Sequence, residues 1–247
     1  MKVSVVTPSF NQAGYLRQTL DSVLSQTGDR LEVESIVVDG GSTDETLELL
    51  RAIHDPRLRW TSEKDRGQSH AINNGLARAT GDVVAWLNSD DLYTPGALAS
   101  VVGAFATRPG AQWLVGGCEI IDGAGRVIRP GVTRYKRRSL IRYSYRRLLR
   151  ENMVNQPAVF WRRGFGEAVG PLDESLHYTM DYDLWLRMGG RCDPLVLDRV
   201  VSQFRIHAAS KSGQVAREQF DEQYRVACRY FDGDRASRII HRFNVEK

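Results

Sequence analysis

The residues with the plainest capacity for chemistry in this 247-residue chain are the adjacent carboxylates Asp90 and Asp91. They close the stretch Gly81-Asp82-Val83-Val84-Ala85-Trp86-Leu87-Asn88-Ser89-Asp90-Asp91, in which Val83 to Leu87 is short, apolar and uncharged. Such a run predicts a strand buried on both faces of a parallel sheet, with the carboxylates at its carboxyl end. Open α/β sheets bind ligands at that edge, and two clustered carboxylates there repel each other unless they share a cation. A hard divalent ion, Mg2+ or Mn2+, carrying a substrate phosphate would satisfy them. The alternative is that both acids cap the turn before the helix opened by Thr94-Pro95. A second pair, Asp181 and Asp183, falls in the first turn of a predicted helix, where the macrodipole favours acids whatever their function.

These groups need elements to hold them. Val3 to Thr7 predicts a first strand stopped by Pro8, after which Ser9 or Asn11 can cap a helix with the apolar face Leu16, Leu20, Val23 and Leu24. Val33 to Val38 predicts a second strand ending in Asp39-Gly40-Gly41-Ser42-Thr43-Asp44-Glu45, where Ser42 and Glu45 have capping-box spacing. Leu58 to Ser62 is a third strand, followed by a helix through Ala71, Ile72 and Leu76 that Gly81 ends. This alternation predicts a parallel, doubly wound half with right-handed crossovers. Beyond it the pattern becomes mixed. A hairpin spans Trp113 to Ile128, the basic stretch 137–150 is helical, and strands cover Gln156 to Trp161 and Leu195 to Phe204. An amphipathic C-terminal helix carries Phe220, Tyr224, Cys228 and Phe231. No dinucleotide or P-loop glycine motif follows the first strand, so a nucleotide must be held another way.

Composition narrows the class. Hydrophobic residues make up 42% of the chain, enough for a proper core. Three scattered cysteines give neither a disulfide framework nor a zinc pattern, which suits a reducing cytoplasm. No signal peptide or membrane-spanning run is present in the sequence, so a soluble or peripheral protein is expected. Charge is uneven: residues 1–133 hold 12 Lys and Arg against 16 Asp and Glu, and residues 134–247 hold 22 against 14. Eight cations and no acid lie in 134–150, a stretch suited to an anionic bilayer or a diphosphate. A nucleic-acid partner is disfavoured, because the tyrosines there sit beside leucines at core-like spacing and not on a stacking face.

Taken in order, the blocks Thr7-Pro8-Ser9-Phe10-Asn11, Val38 to Asp44, Glu63 to Asn73, Gly81 to Asp91, Asp181 to Arg187 and Arg205-Ile206-His207 resemble inverting glycosyltransferases of family 2 with the GT-A fold. The resemblance implies one domain over 1–247, with a Rossmann-like nucleotide-sugar half at 1–120 and a mixed acceptor-side half at 121–247. It implies that Pro8, Ser9 and Asp39 hold the base and ribose of a UDP, GDP or dTDP sugar. Asp39 has a second reading as a turn acid accepting from the Gly41 and Ser42 amides. Asp65 and Arg66 would lie near the nucleotide and diphosphate. Asn88 to Asp91 takes the place of the family's D-x-D motif, with Asn88 and Ser89 toward the nucleotide and Asp90, then Asp91, toward Mn2+ or Mg2+. His207 would complete that site, and Asp181 would be the catalytic base, Met180 standing where the family has glutamate, with Asp183 as the alternative.

The implied reaction is one in-line displacement at the anomeric carbon, the base taking a proton from an acceptor hydroxyl of a glycan or lipid-linked molecule. The competing classes are a non-catalytic module of the same fold that binds a nucleotide or another anion, and a nucleotidyltransferase. The latter would want a phosphate loop that Thr7 to Asn11 does not supply.

Overall fold

A computed structural model describes residues 1–208, 210 and 216–245. The first β-α repeats form as the apolar patterns require. Strand β1 (Lys2–Ser9) is followed by α1 (Ala13–Leu24), β2 (Glu32–Asp39), α2 (Thr46–Ala52), β3 (Leu58–Ser62), α3 (Gln68–Arg78) and β4 (Val83–Trp86). These four strands are parallel, ordered β3-β2-β1-β4. β1 is flanked on both sides and almost wholly buried, which is why it reads as continuous Val and Thr. Since β2 and β3 lie on one side of β1 and β4 on the other, the order reverses between β1 and β4, and a crevice opens at their carboxyl ends. Pro8 lies inside β1 instead of ending it. It has no N–H to give, and the last bond from β4 to β1 is Leu87 N–H to the Val6 carbonyl at 2.9 Å, so the lack falls where the two strands part.

The remaining elements are β5 (Leu92–Tyr93), α4 (Ala97–Thr107), β6 (Trp113–Asp122), β7 (Val127–Ile128), α5 (Pro130–Ile141), α6 (Tyr145–Arg150), a 3-10 turn (Gln156–Ala158), β8 (Val159–Arg162), α7 (Arg163–Val169), α8 (Met180–Gly189), β9 (Leu195–Ile206), α9 (Ala216–Cys228) and α10 (Arg235–Val245). The sheet continues from β4 through β8, β6 and β9 to β5, with β8 antiparallel to both its neighbours and β9 parallel to β6. It is therefore one mixed sheet running through both halves of the chain.

Several local expectations give way to tertiary contacts. The basic stretch is two helices, α5 and α6, broken at Arg142 to Ser144, and the C-terminal segment is also two helices. No capping box forms, because the Ser42 hydroxyl is turned to Asp39 and accepts from Asn11 N–H at 2.8 Å. Neither Ser9 nor Asn11 caps α1. Its opening amides at Gln12 and Ala13 are taken across space by Thr46 Oγ1 (3.2 Å) and Asp44 Oδ2 (3.1 Å). Gly81 is needed for contact more than for ending α3: a Cβ there would lie 2.7 Å from the Ser4 backbone nitrogen.

Two apolar layers hold the sheet. Val3, Val5, Val83, Ala85 and Leu87 pack with Leu98, Val101 and Phe105 of α4 on one face. On the other, Trp185 of α8 is fully buried and stacks on Trp86 (5.6 Å between centroids) and Trp113 (6.3 Å), with Trp161 edge-on. Aromatic pairs of this kind add roughly 0.5–1.5 kcal/mol each beyond burial. They fix α8, and hence its first turn, against the end of β4.

Candidate active site

The crevice widens into a cavity of about 1090 Å3. Its walls include Pro8 and Ser9 at the end of β1, Gly40 and Gly41 after β2, Asp65 before α3 and Gln68 at its start, and Asn88, Ser89 and Asp90 after β4. Across from these stand Lys136 of α5, Asn155, and Asp181 of α8. The Ser9 hydroxyl is buried without a partner among the described residues, a donor left for something that enters.

Asp39 does not reach the cavity wall. Its buried carboxylate accepts from the amides of Gly41 (3.1 Å) and Ser42 (2.9 Å) and from the hydroxyls of Ser42 and Ser62. The hydrogen bonds of the turn-acid reading form, and the end of β2 offers Gly40 and Gly41 to the cavity. Asp65 packs directly against that turn: a Cβ on Gly40 would come within 2.6 Å of its Oδ2, and its Oδ1 accepts from Gly67 N–H at 2.8 Å. Arg66 points away and pairs with Glu174 at 2.8 Å.

The Asn88–Asp91 turn separates the two acids. Asp90 lines the cavity, and its Oδ2 lies 3.0 Å from Nε2 of His207, a residue carried there by β9 and covered by the Tyr15 ring. Asp91, expected as a further metal ligand, faces the opposite way. Fully buried, it accepts from Arg205 N–H at 2.8 Å and from Asn88 Nδ2 at 3.3 Å. Burial, and then the charge of Asp90, push its carboxyl well above the usual range. Asn88 is held by Gln68 (2.9 Å) and Gln156 (3.0 Å) and so fixes the turn. Among the described residues no three His, Cys, Asp or Glu side chains converge as a complete metal cage. An imidazole and one carboxylate at the mouth of a cavity do fit Mn2+ or Mg2+ when the other ligands are diphosphate oxygens and water, imidazole favouring Mn2+.

Asp181 stands in the first turn of α8, its Oδ1 accepting from Tyr182 N–H at 2.7 Å. Burial raises its carboxyl to about 6, against the opposing effects of that amide and of Lys136. A carboxylate tuned there is ionised at neutral pH yet basic enough to take a proton. Asp183 is no alternative. It is buried in a pair with Arg187 at 2.9 Å and accepts from the Tyr230 hydroxyl at 2.7 Å, on the far side of the helix.

Three residues without an assigned role in the sequence prove central. Arg205 is buried, donating to the Asp90 carbonyl (2.8 Å), to the carbonyls of Asp122 and Gly123, and to Gln18 (2.9 Å), so it locks the Asp90 turn to β9. Glu222 of α9 accepts from the amides of His177 (3.1 Å), Tyr178 (2.7 Å) and Thr179 (2.8 Å), the loop that leads into Asp181. Burial opposes its charge, but these donors win and hold its carboxyl below the usual value. Lys136 was visible only as one cation among eight. Of the Arg205-to-Ser212 segment, Ala209 and Lys211-Ser212 lie outside the described residues.

The sequence profile "Glycosyl transferase family 2" matches residues 4–165. The chain belongs to glycosyl transferase family 2. A relative, an uncharacterized glycosyltransferase of Rickettsia prowazekii, is 29% identical over 228 residues, which is 89% of this chain and 68% of that protein. Among solved structures, Staphylococcus aureus TarS 1–349 in complex with UDP-GlcNAc superposes with a TM-score of 0.72 at 19% identity, covering 95% of this chain and 68% of that one. The mannosyltransferase PcManGT of Pyrobaculum calidifontis, in complex with GDP-Man and Mn2+, gives 0.66 at 23% identity, covering 93% and 63%. The fold is of the GT-A type, and the chain spans about two thirds of each of these proteins. The matched region carries the β1, β2 and β4 edges of the cavity, while Asp181, His207 and Glu222 lie beyond it.

Proposed function

We propose that this family 2 chain moves a sugar from a nucleoside-diphosphate sugar to an acceptor hydroxyl with inversion, assisted by a divalent ion, in the assembly of a bacterial surface polysaccharide or glycolipid. The observation that carries this is that one cavity at the switch point is lined both by Asp181, a carboxylate raised to about 6 by burial, and by Asp90, whose Oδ2 lies 3.0 Å from His207 Nε2. Supporting it, TarS is described with UDP-GlcNAc and PcManGT with GDP-Man and Mn2+.

In this reading Pro8, Ser9, Gly40, Gly41 and Asp65 receive the nucleoside, with Asp39 setting their turn, and Asn88 and Ser89 face the ribose and sugar. Asp181 accepts the proton of the attacking hydroxyl as the bond to the anomeric carbon forms and the bond to the diphosphate breaks on the opposite face. Asp90 and His207 would hold Mn2+ or Mg2+, which when bound would supply charge stabilisation to the departing diphosphate. The continuous mixed sheet supports a single catalytic unit over 1–247. The free cysteines suit a cytoplasmic location, with the exposed cations of 134–150 turned toward an anionic inner leaflet.

Isothermal titration of UDP, GDP and dTDP, with Mn2+ and then EDTA, tests the donor site. One diphosphate should bind in a metal-dependent way, and Asp90→Ala should weaken it at least tenfold. Binding of none of them in either condition would favour a non-catalytic module.

A further inference from the structure

One wall of the cavity has no task in the mechanism above. Lys136 reaches into it from α5, and its ammonium makes one hydrogen bond, 2.8 Å to Asn155 Oδ1, with no ion pair to a carboxylate among the described residues. An ammonium has three donors, so two are left without a partner among the described residues. Burial lowers its pKa, and the nearby charge of Asp181 opposes this. A half-buried cation left in this state is costly unless an anion arrives.

Arg129, an exposed residue seven positions before it, also lines the cavity, and its guanidinium has no partner among the described residues. Its backbone sits at φ 51°, in the left-handed region, immediately before Pro130 opens α5. A non-glycine residue there costs of order 1–2 kcal/mol, and such strain gathers where a side chain must be presented to a ligand. On the same wall Asn152 Oδ1 is buried without a donor, a place for a hydroxyl. Two cations and an acceptor so arranged match a phosphate group with an adjoining hydroxyl. They come from α5, the residue just before it and the segment after α6, whereas Asp90 and His207 follow the ends of β4 and β9.

We infer that Lys136 and Arg129 form a second anion subsite, facing Asp181, that binds a phosphate group of a substrate. The group is either the β-phosphate of the donor or a phosphate on the acceptor, and the inference rests on the cavity being a nucleotide-sugar site.

The test is calorimetric, on the whole chain and on Lys136→Met, Arg129→Met and Lys136→Arg, with thermal melts to verify folding. The probes are uridine against UDP, guanosine against GDP, and inorganic phosphate titrated into protein already saturated with the diphosphate it prefers. If the donor phosphate is bound, Lys136→Met weakens the diphosphate at least tenfold and leaves the nucleoside unchanged, Arg129→Met does so by a smaller factor, and Lys136→Arg restores most of the affinity. If the acceptor phosphate is bound, diphosphate affinity holds while inorganic phosphate binding to the saturated protein disappears in the Met variants. Folded variants that change neither quantity overturn the subsite. Should the parent chain bind no nucleotide, the donor-site reading fails by itself. Phosphate titrated into the free protein then decides: binding lost in Lys136→Met keeps the subsite, and no binding in the parent removes it.

Discussion

At the scale of single residues, environment decides which carboxylate does what. Asp90 and Asp91 are neighbours in sequence, yet one faces the cavity beside His207 and the other accepts from the Arg205 amide inside the protein. Asp181 and Asp183 divide in the same way, because positions two apart on a helix point to different sides. Asp181→Asn should cut turnover by about 10²–10⁴-fold with diphosphate affinity kept. In the parent, turnover should rise with pH through about 6 as Asp181 ionises. The sign for stability is opposite. A carboxyl whose folded pKa is raised from 3.8 to about 6 favours the fold at low pH and loses that contribution as pH rises through 6. Asp181→Asn should therefore melt higher than the parent at pH 8, by on the order of 2 kcal/mol, with the gap closing toward pH 4. A gap independent of pH would count against the burial described.

At the scale of elements, α8 is placed by two unrelated devices. Its apolar side is clamped by the Trp86, Trp113 and Trp185 stack, and its leading loop is tied by Glu222 of α9. Glu222 therefore reaches the proposed catalytic base through backbone amides of the loop before it. Glu222→Gln preserves volume but exchanges one acceptor oxygen for a donor that faces amide N–H groups. It should lower stability by about 1–3 kcal/mol and reduce kcat with little change in donor affinity. Glu222→Asp should recover part of both, and the split between kcat and donor Kd, followed by kinetics and titration, distinguishes placement of Asp181 from general unfolding. The Glu222 contribution is present above the ordinary carboxylate range and fades as pH falls below it, since its folded pKa is depressed.

At the scale of the molecule, the excess positive charge of the second half is partly consumed by the fold. Lys136 turns into the cavity, while Arg137 pairs with Asp198 at 2.6 Å and Arg146 with Asp234 at 2.8 Å. Arg134, Arg138 and Arg142 remain exposed, with Ile141 57% exposed among them. No helix among the described residues is long and apolar enough to cross a membrane. In the proposed contact of the 134–150 stretch with a bilayer surface, these are the groups that would touch it. Sedimentation with vesicles containing anionic lipid should exceed that with neutral vesicles, should fall at high salt, and should drop when Arg134, Arg138 and Arg142 become Ala. Equal sedimentation with both kinds of vesicle would remove the surface contact from the proposal.

What the sequence determined by itself was the alternating β-α half and the stations around its crevice. Buried parallel strands advertise themselves as apolar runs with ligand groups expected at their carboxyl ends, which made the Asp90-Asp91 turn legible, and the family resemblance named Pro8, Ser9, Asp65, Asn88 and Ser89 beside it. Asp181 was legible as an acid opening a helix, and the family resemblance gave it a role. Tertiary structure decided the rest. The turning of Asp91 and Asp39 into the protein, the break between α5 and α6, the Glu222 tie and the position of Lys136 all depend on partners far away in the chain. Glu222 lies 43 residues from Thr179, and Arg205 lies 114 from Asp91. A local pattern carries the period of a helix or strand, but the direction in which a charged side chain is satisfied is fixed only when distant elements pack and leave it one polar neighbour to meet.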